Sequence, residues 1–119
     1  MVIDDSNTLR RVVVGYLREL SIDSIEAVDG LDALEKLRAN PSLDGALVDW
    51  DMPRMDGLEF VKTVRACAEY NSLKLMMVTA QSSMGSLQQA LEAGADDYLM
   101  KPFTPEMLGD KLRLIGLLG

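Results

Sequence analysis

Ala46-Leu47-Val48-Asp49-Trp50-Asp51-Met52-Pro53-Arg54-Met55-Asp56-Gly57 runs from consecutive apolar residues into an acid, then past a proline to an Asp-Gly pair. A short apolar run closed by turn residues reads as a strand buried on both faces, here ending at Asp49. Pro53 and Asp56-Gly57 mark a loop. Beyond it Phe60, Val61, Val64 and Ala68 return at helical spacing, which predicts a helix with those residues turned inward.

The same unit repeats outward in both directions. Residues 1–3 form a short strand running into Asp4-Asp5-Ser6, and a helix follows with Leu9, Val12, Val13, Tyr16, Leu17 and Leu20 on one face. Residues 24–28 read as a second strand closed by Asp29-Gly30, and a helix carrying Leu31, Leu34 and Leu37 stops before Asn40-Pro41. Residues 73–79 are the most apolar strand. A helix through Leu87, Ala90 and Leu91 closes at Gly94, a C-cap glycine. Residues 98–100 form the fifth strand, and residues 107–118 a last amphipathic helix.

Apolar strands alternating with helices predict an α/β fold: a doubly wound parallel sheet, covered on both faces and joined by right-handed crossovers. The 119 residues make one domain, residues 1–119. In such sheets ligands bind beyond the carboxyl ends of the strands. Asp4 and Asp5 follow strand one, Asp49 ends strand three, Thr79 ends strand four and Lys101 follows strand five. All are placed at one edge. Carboxylates gathered at about 4 Å cost roughly 4 kcal/mol per pair at an effective dielectric near 20, so a positive group must offset them. Lys101 is one candidate. A divalent cation is the other, and an all-oxygen site with room for water and phosphate favours Mg²⁺, with Mn²⁺ tolerated. Beside such an ion Asp49 can act as a nucleophile toward phosphorus.

Composition narrows the chemistry. Twelve basic against nineteen acidic residues leave a net charge of -7, which disfavours direct nucleic-acid binding. The sequence contains no histidine, which removes Ser-His-Asp and Cys-His catalysis and most zinc sites. The single cysteine, Cys67, suits a reducing compartment. No apolar run reaches the length of a membrane span, so membrane insertion is not expected and a cytoplasmic location is.

Val2-Ile3-Asp4-Asp5-Ser6, residues 48–57, Val78-Thr79-Ala80 and Lys101-Pro102-Phe103 together resemble the signatures of receiver domains of two-component response regulators, over essentially the whole chain. Within that family the likeness is greatest to the chemotaxis regulators. The resemblance implies a flavodoxin-like (βα)5 fold with strand order 2-1-3-4-5, and a signalling module rather than an enzyme. It implies that Asp49 accepts a phosphoryl group from a sensor histidine kinase or phosphotransfer protein. Asp4 and Asp5 would be the acidic pair at the metal, with Asp5 and Asp49 ligating by side chain and Asp51 by its backbone carbonyl. Thr79 and Lys101 would hold the phosphoryl oxygens, with Ala80 small enough to leave room, and the Lys101-Pro102 bond would be cis. Tyr98 would switch inward with Thr79, changing the surface formed by helix four, strand five and helix five, where a downstream protein docks.

Two positions depart from the chemotaxis regulators: Asp51 stands where they carry an amide, and Gln81 where they carry a carboxylate. The resemblance implies that both line the path of the hydrolytic water, so the phosphorylated lifetime is expected to differ from theirs. Ser6 reads as a helix N-cap, Asp96 and Asp97 as solvated charge, and Met84 as core filler or partner surface. Other readings stay open. Asp49-Trp50-Asp51 matches the Asp-x-Asp core of haloacid dehalogenase-type phosphatases, although Pro53 stands where that family has Thr or Val. A docking scaffold that is not phosphorylated, and a receiver domain cut from a longer response regulator, would carry the same residues.

Overall fold

A computed structural model of the chain describes residues 1–80 and 84–119, with Met84 described by its backbone alone. Gln81 therefore lies outside the described residues, as does the Met84 side chain. The elements in order are β1 Val2–Ile3, α1 Asn7–Glu19, β2 Glu26–Ala27, α2 Gly30–Ala39, β3 Gly45–Asp49, α3 Gly57–Arg65, β4 Lys74–Thr79, α4 Met84–Ala93, β5 Asp97–Met100 and α5 Pro105–Leu114. A 3-10 turn, Ala68–Tyr70, separates α3 from β4. All strand pairs are parallel, in the order β2-β1-β3-β4-β5. This is the flavodoxin-like doubly wound sheet that the alternation of strands and helices and the family likeness predict.

Each helix buries one stripe against the sheet. Ala33 and Leu37 of α2, Phe60, Val61 and Val64 of α3, and Ala90 of α4 pack on one face with Ile3, Val48, Leu75 and Met77. Val13 and Leu17 of α1 and Leu108 and Leu112 of α5 pack on the other with Val2, Leu47, Met76 and Val78. The alternation of Leu75, Met76, Met77 and Val78 between the two clusters is the period of two that a strand imposes. Phe60 is wholly buried, and truncation of such a ring to alanine costs about 3–5 kcal/mol.

Several expected boundaries and faces shift, each for a local reason. β2 spans two residues rather than the five of 24–28, because it pairs with β1 alone and β1 offers only Val2 and Ile3. On α1, Leu9 and Val12 are exposed, and the inward stripe runs through Arg10, Val13 and Leu17 instead. Leu31 and Leu91, which mark α2 and α4 in the sequence pattern, are also exposed. Ala68 is exposed because α3 ends at Arg65 and the chain turns into the 3-10 segment. α5 begins earlier than residue 107, since Thr104 caps it by accepting the Met107 N–H at 3.1 Å and Pro105 fills its first turn. It ends before residue 118, with Gly116 at φ 87° just beyond. Gly94 takes φ 116° after α4, as expected of a C-cap glycine.

Candidate functional site

The carboxyl ends of β1 and β3 bring three carboxylates together. One oxygen from each of Asp4, Asp5 and Asp49 lies within 4.8 Å of the others. Asp4 and Asp49 are buried, whereas Asp5 faces outward. Asp4 is oriented from several directions. Its backbone N–H donates to the Ala27 carbonyl at 3.1 Å, and its carbonyl accepts from Arg10 Nη1 at 2.8 Å. Its Oδ1 accepts the Ser6 N–H at 2.9 Å, leaving Oδ2 toward the cluster. Ser6 caps α1 by accepting the Leu9 N–H at 3.2 Å, as its type and place predict.

Lys101 reaches this group from the loop after β5. Its Nζ stands 3.1 Å from Asp49 Oδ1 and 3.5 Å from Asp4 Oδ2. The Lys101 backbone N–H donates to the Thr79 carbonyl at 2.8 Å, which ties the ends of β4 and β5 together beneath the lysine. The Lys101-Pro102 peptide is cis, as the family likeness implies. Thr79 is almost fully buried at the end of β4, opposite Met100 in register. Burial raises the Asp49 pKa above the ordinary aspartate value; Lys101 opposes that rise, and Asp4 and then Asp5 add to it. Burial alone would lower the Lys101 pKa, but Asp49 and Asp4 outweigh it and hold the ammonium above its usual value.

The loop leaving β3 is pinned close to Asp49. The Gly57 N–H closes it by donating to the Trp50 carbonyl at 2.9 Å. Gly57 has to be glycine, because a Cβ there would collide with the Asp49 carbonyl oxygen. Asp51 is exposed on this loop, while Trp50 and Met52 are buried. Tyr98 is half-buried on β5, with Lys111 Nζ 4.7 Å from its ring centroid.

The donor set suits a hard divalent cation: only oxygens, three carboxylates, and a single lysine to balance them. The sequence reading missed two supports. Arg10 is buried, with Nε on Glu26 at 2.9 Å and Nη2 on Asn7 at 2.5 Å. Its signal was available, since an arginine in the stripe of Val13 and Leu17 demands buried partners. Asp29 pairs with Arg54 at 2.6 Å, a link no local pattern encodes. Asp96 is exposed, as expected of solvated charge, yet it also holds protein partners, and Asp97 is half-buried rather than solvated. Asp96 Oδ2 accepts from the Leu75 N–H at 2.8 Å and from Arg65 Nη2 at 3.0 Å, and Asp97 pairs with Lys111 at 2.9 Å. Asp96 thus ties the start of β5 to β4 and α3, and Asp97 ties β5 to α5.

Comparison with known proteins agrees with the geometry. The response regulator receiver domain model matches residues 1–113. The chemotaxis protein CheY1 of Helicobacter pylori is 39% identical over 116 residues, covering 97% of this chain and 94% of that protein. The CheY homologue of Campylobacter jejuni is 41% identical over 113 residues, covering 94% of this chain and 87% of that protein. The solved structure of CheY4 from Vibrio cholerae superposes with a TM-score of 0.89 at 34% identity, covering 96% of this chain and 94% of that one. Sequence and fold thus coincide over nearly the whole length, and the chain belongs to the response regulator receiver domain family as a CheY-like member.

Proposed function

We propose that Asp49 accepts a phosphoryl group from a histidine kinase or phosphotransfer protein in a Mg²⁺-dependent reaction, and that the modified domain controls a partner in a chemotaxis-type pathway in the cytoplasm. The observation that carries this reading is the pairing of Lys101 with both Asp49 and Asp4 beside the three-carboxylate cluster. Receiver domains bind Mg²⁺ at such an acidic pocket, and CheY-like receivers interact with histidine kinases and downstream targets. Asp5 and Asp49 would hold the ion by side chain and Asp51 by its backbone carbonyl, with Asp4 placed behind them; Mn²⁺ would substitute. The ion's chemistry is to neutralise charge on the transferring phosphoryl group.

In the transfer, an Asp49 carboxylate oxygen attacks phosphorus and the bond from phosphorus to the donor breaks, leaving an acyl phosphate. Lys101 and Thr79 stabilise the equatorial oxygens, and exposed Ala80 leaves them space. Slow attack of water on phosphorus would break the acyl phosphate, returning the carboxylate and releasing inorganic phosphate, so the domain is a signalling module and not a turnover enzyme. Tyr98 would follow Thr79 inward. The readout surface would be α4, β5 and α5, where Leu91 and Met107 stand exposed as apolar docking points.

The test is intact mass after incubation with acetyl phosphate and Mg²⁺. Wild type should gain one phosphoryl group, and Asp49→Asn or wild type with chelator should gain none. An unmodified wild-type mass would overturn the proposal.

A further inference from the structure

The loop after β3 carries a residue whose backbone is costly to hold. Arg54 has φ 67°, and the Met55 N–H donates to the Pro53 carbonyl at 2.8 Å across it, a tight three-residue turn. Left-handed backbone is strained for a long side chain and persists only when the surroundings enforce it. What enforces it is Asp29, buried at the N-cap of α2. Asp29 Oδ2 accepts from Arg54 Nε at 2.8 Å and pairs with Nη2 at 2.6 Å, while Oδ1 caps the helix by accepting the Asp32 N–H at 2.8 Å. The neighbouring Gly30 adds a second attachment, because a Cβ there would lie 2.6 Å from Met55 Cγ and 2.9 Å from the Met55 carbonyl oxygen. The loop is thus fastened sideways onto the start of α2.

We propose that Arg54 and Asp29 are positioning residues: their ion pair sets the course of the loop from Asp49 to Asp56, and with it the stance of the Asp51 carbonyl that would hold the metal. The inference rests on the metal site described under Proposed function. Partners of this kind, one step behind the ligands, typically change metal affinity by about 10- to 100-fold when removed.

The experiment titrates Mg²⁺ alone into the full chain, read by the fluorescence of Trp50, for wild type, Asp29→Asn, Arg54→Gly and the double variant. The asparagine of Asp29→Asn can still cap α2, and the glycine of Arg54→Gly tolerates φ 67°. All four proteins should therefore fold, as circular dichroism will verify. Asp32→Asn loosens the same helix end without touching the loop. Each single variant should bind Mg²⁺ about ten-fold more weakly, the double variant no more weakly than either single, and Asp32→Asn within about two-fold of wild type, since it leaves the loop's attachment in place. Wild-type affinity in both singles, or losses that multiply in the double variant, would overturn the proposal. A merely structural pair would lower melting temperature without moving affinity. A wild type with no Mg²⁺ response would fail the metal reading itself. Amide exchange of residues 50–56 in the metal-free protein then decides alone: faster exchange in Asp29→Asn supports the latch, and unchanged exchange refutes it.

Discussion

The Asp49 carboxylate sits between burial and Asp4, which disfavour its charge, and the Lys101 ammonium, which favours it. Because its pKa in the folded state lies above that of an exposed aspartate, the unfolded chain releases this proton at lower pH. Stability therefore falls as pH rises between the two values, and the full cost is present at neutral pH. Asp49→Asn should raise the melting temperature of the metal-free protein at neutral pH by about 4–8 °C per kcal/mol recovered. The gain should vanish in acid, once Asp49 is protonated in both states. Lys101→Met removes the balancing charge and should do the reverse, costing about 1–2 kcal/mol, between surface and buried ion-pair values. Thermal melts across pH check both. The acidic cluster was readable from sequence because each member sits at the end of an apolar strand, and a parallel sheet gathers strand ends. The Arg54–Asp29 pair was not, because its partners are 25 residues apart and their meeting depends on how α2 lies against the β3–α3 loop.

At the scale of elements, the start of α2 is built from two aspartates that cap reciprocally. Asp29 accepts the Asp32 N–H at 2.8 Å, and Asp32 accepts the Val28 N–H at 3.0 Å while pairing with Lys36 at 3.1 Å. Burial works to raise the Asp29 pKa, but the Asp32 N–H and Arg54 outweigh it and the net shift is downward. The Val28 N–H, with Lys36 behind it, lowers that of Asp32. A depressed folded-state pKa gives stability that is present above the unfolded value and lost as pH falls through the folded one. Urea midpoints should decline in acid below about pH 4. Asp32→Asn should flatten that decline and cost on the order of 1 kcal/mol at neutral pH. An unchanged acid limb in Asp32→Asn would remove the cap from the account. Element order and type were legible because period-two and helical patterns alternate cleanly along the chain. The inward face of α1 was not, because Arg10 takes a place in the stripe where only apolar residues were counted, its charge satisfied by Glu26, Asn7 and the Asp4 carbonyl.

For the molecule as a whole, the site is a product of topology. Asp4 and Lys101 are 97 residues apart in sequence, and Lys101 and Asp49 are 52 apart. They meet because the order β2-β1-β3-β4-β5 places β1 beside β3 and aims every strand end the same way. The unfolded chain has no such cluster, so a divalent cation should bind the folded state alone. Ligand that binds only the folded state stabilises it by about 2.7 kcal/mol at roughly one hundred times its dissociation constant. Part of the cost of gathering three carboxylates is then recovered, since the ion replaces repulsion among Asp4, Asp5 and Asp49 with attraction. Mg²⁺ should therefore raise the melting temperature in proportion to the logarithm of its concentration, by about 4–8 °C for each kcal/mol gained. The same concentrations of Na⁺, matched for ionic strength, should not. Asp5→Asn removes one charge from the exposed side of the cluster without touching the core, so its metal-free stability should hold or rise while its Mg²⁺ shift shrinks. Equal Mg²⁺ shifts in wild type and Asp5→Asn would show that the stabilising ion sits elsewhere on this acidic surface.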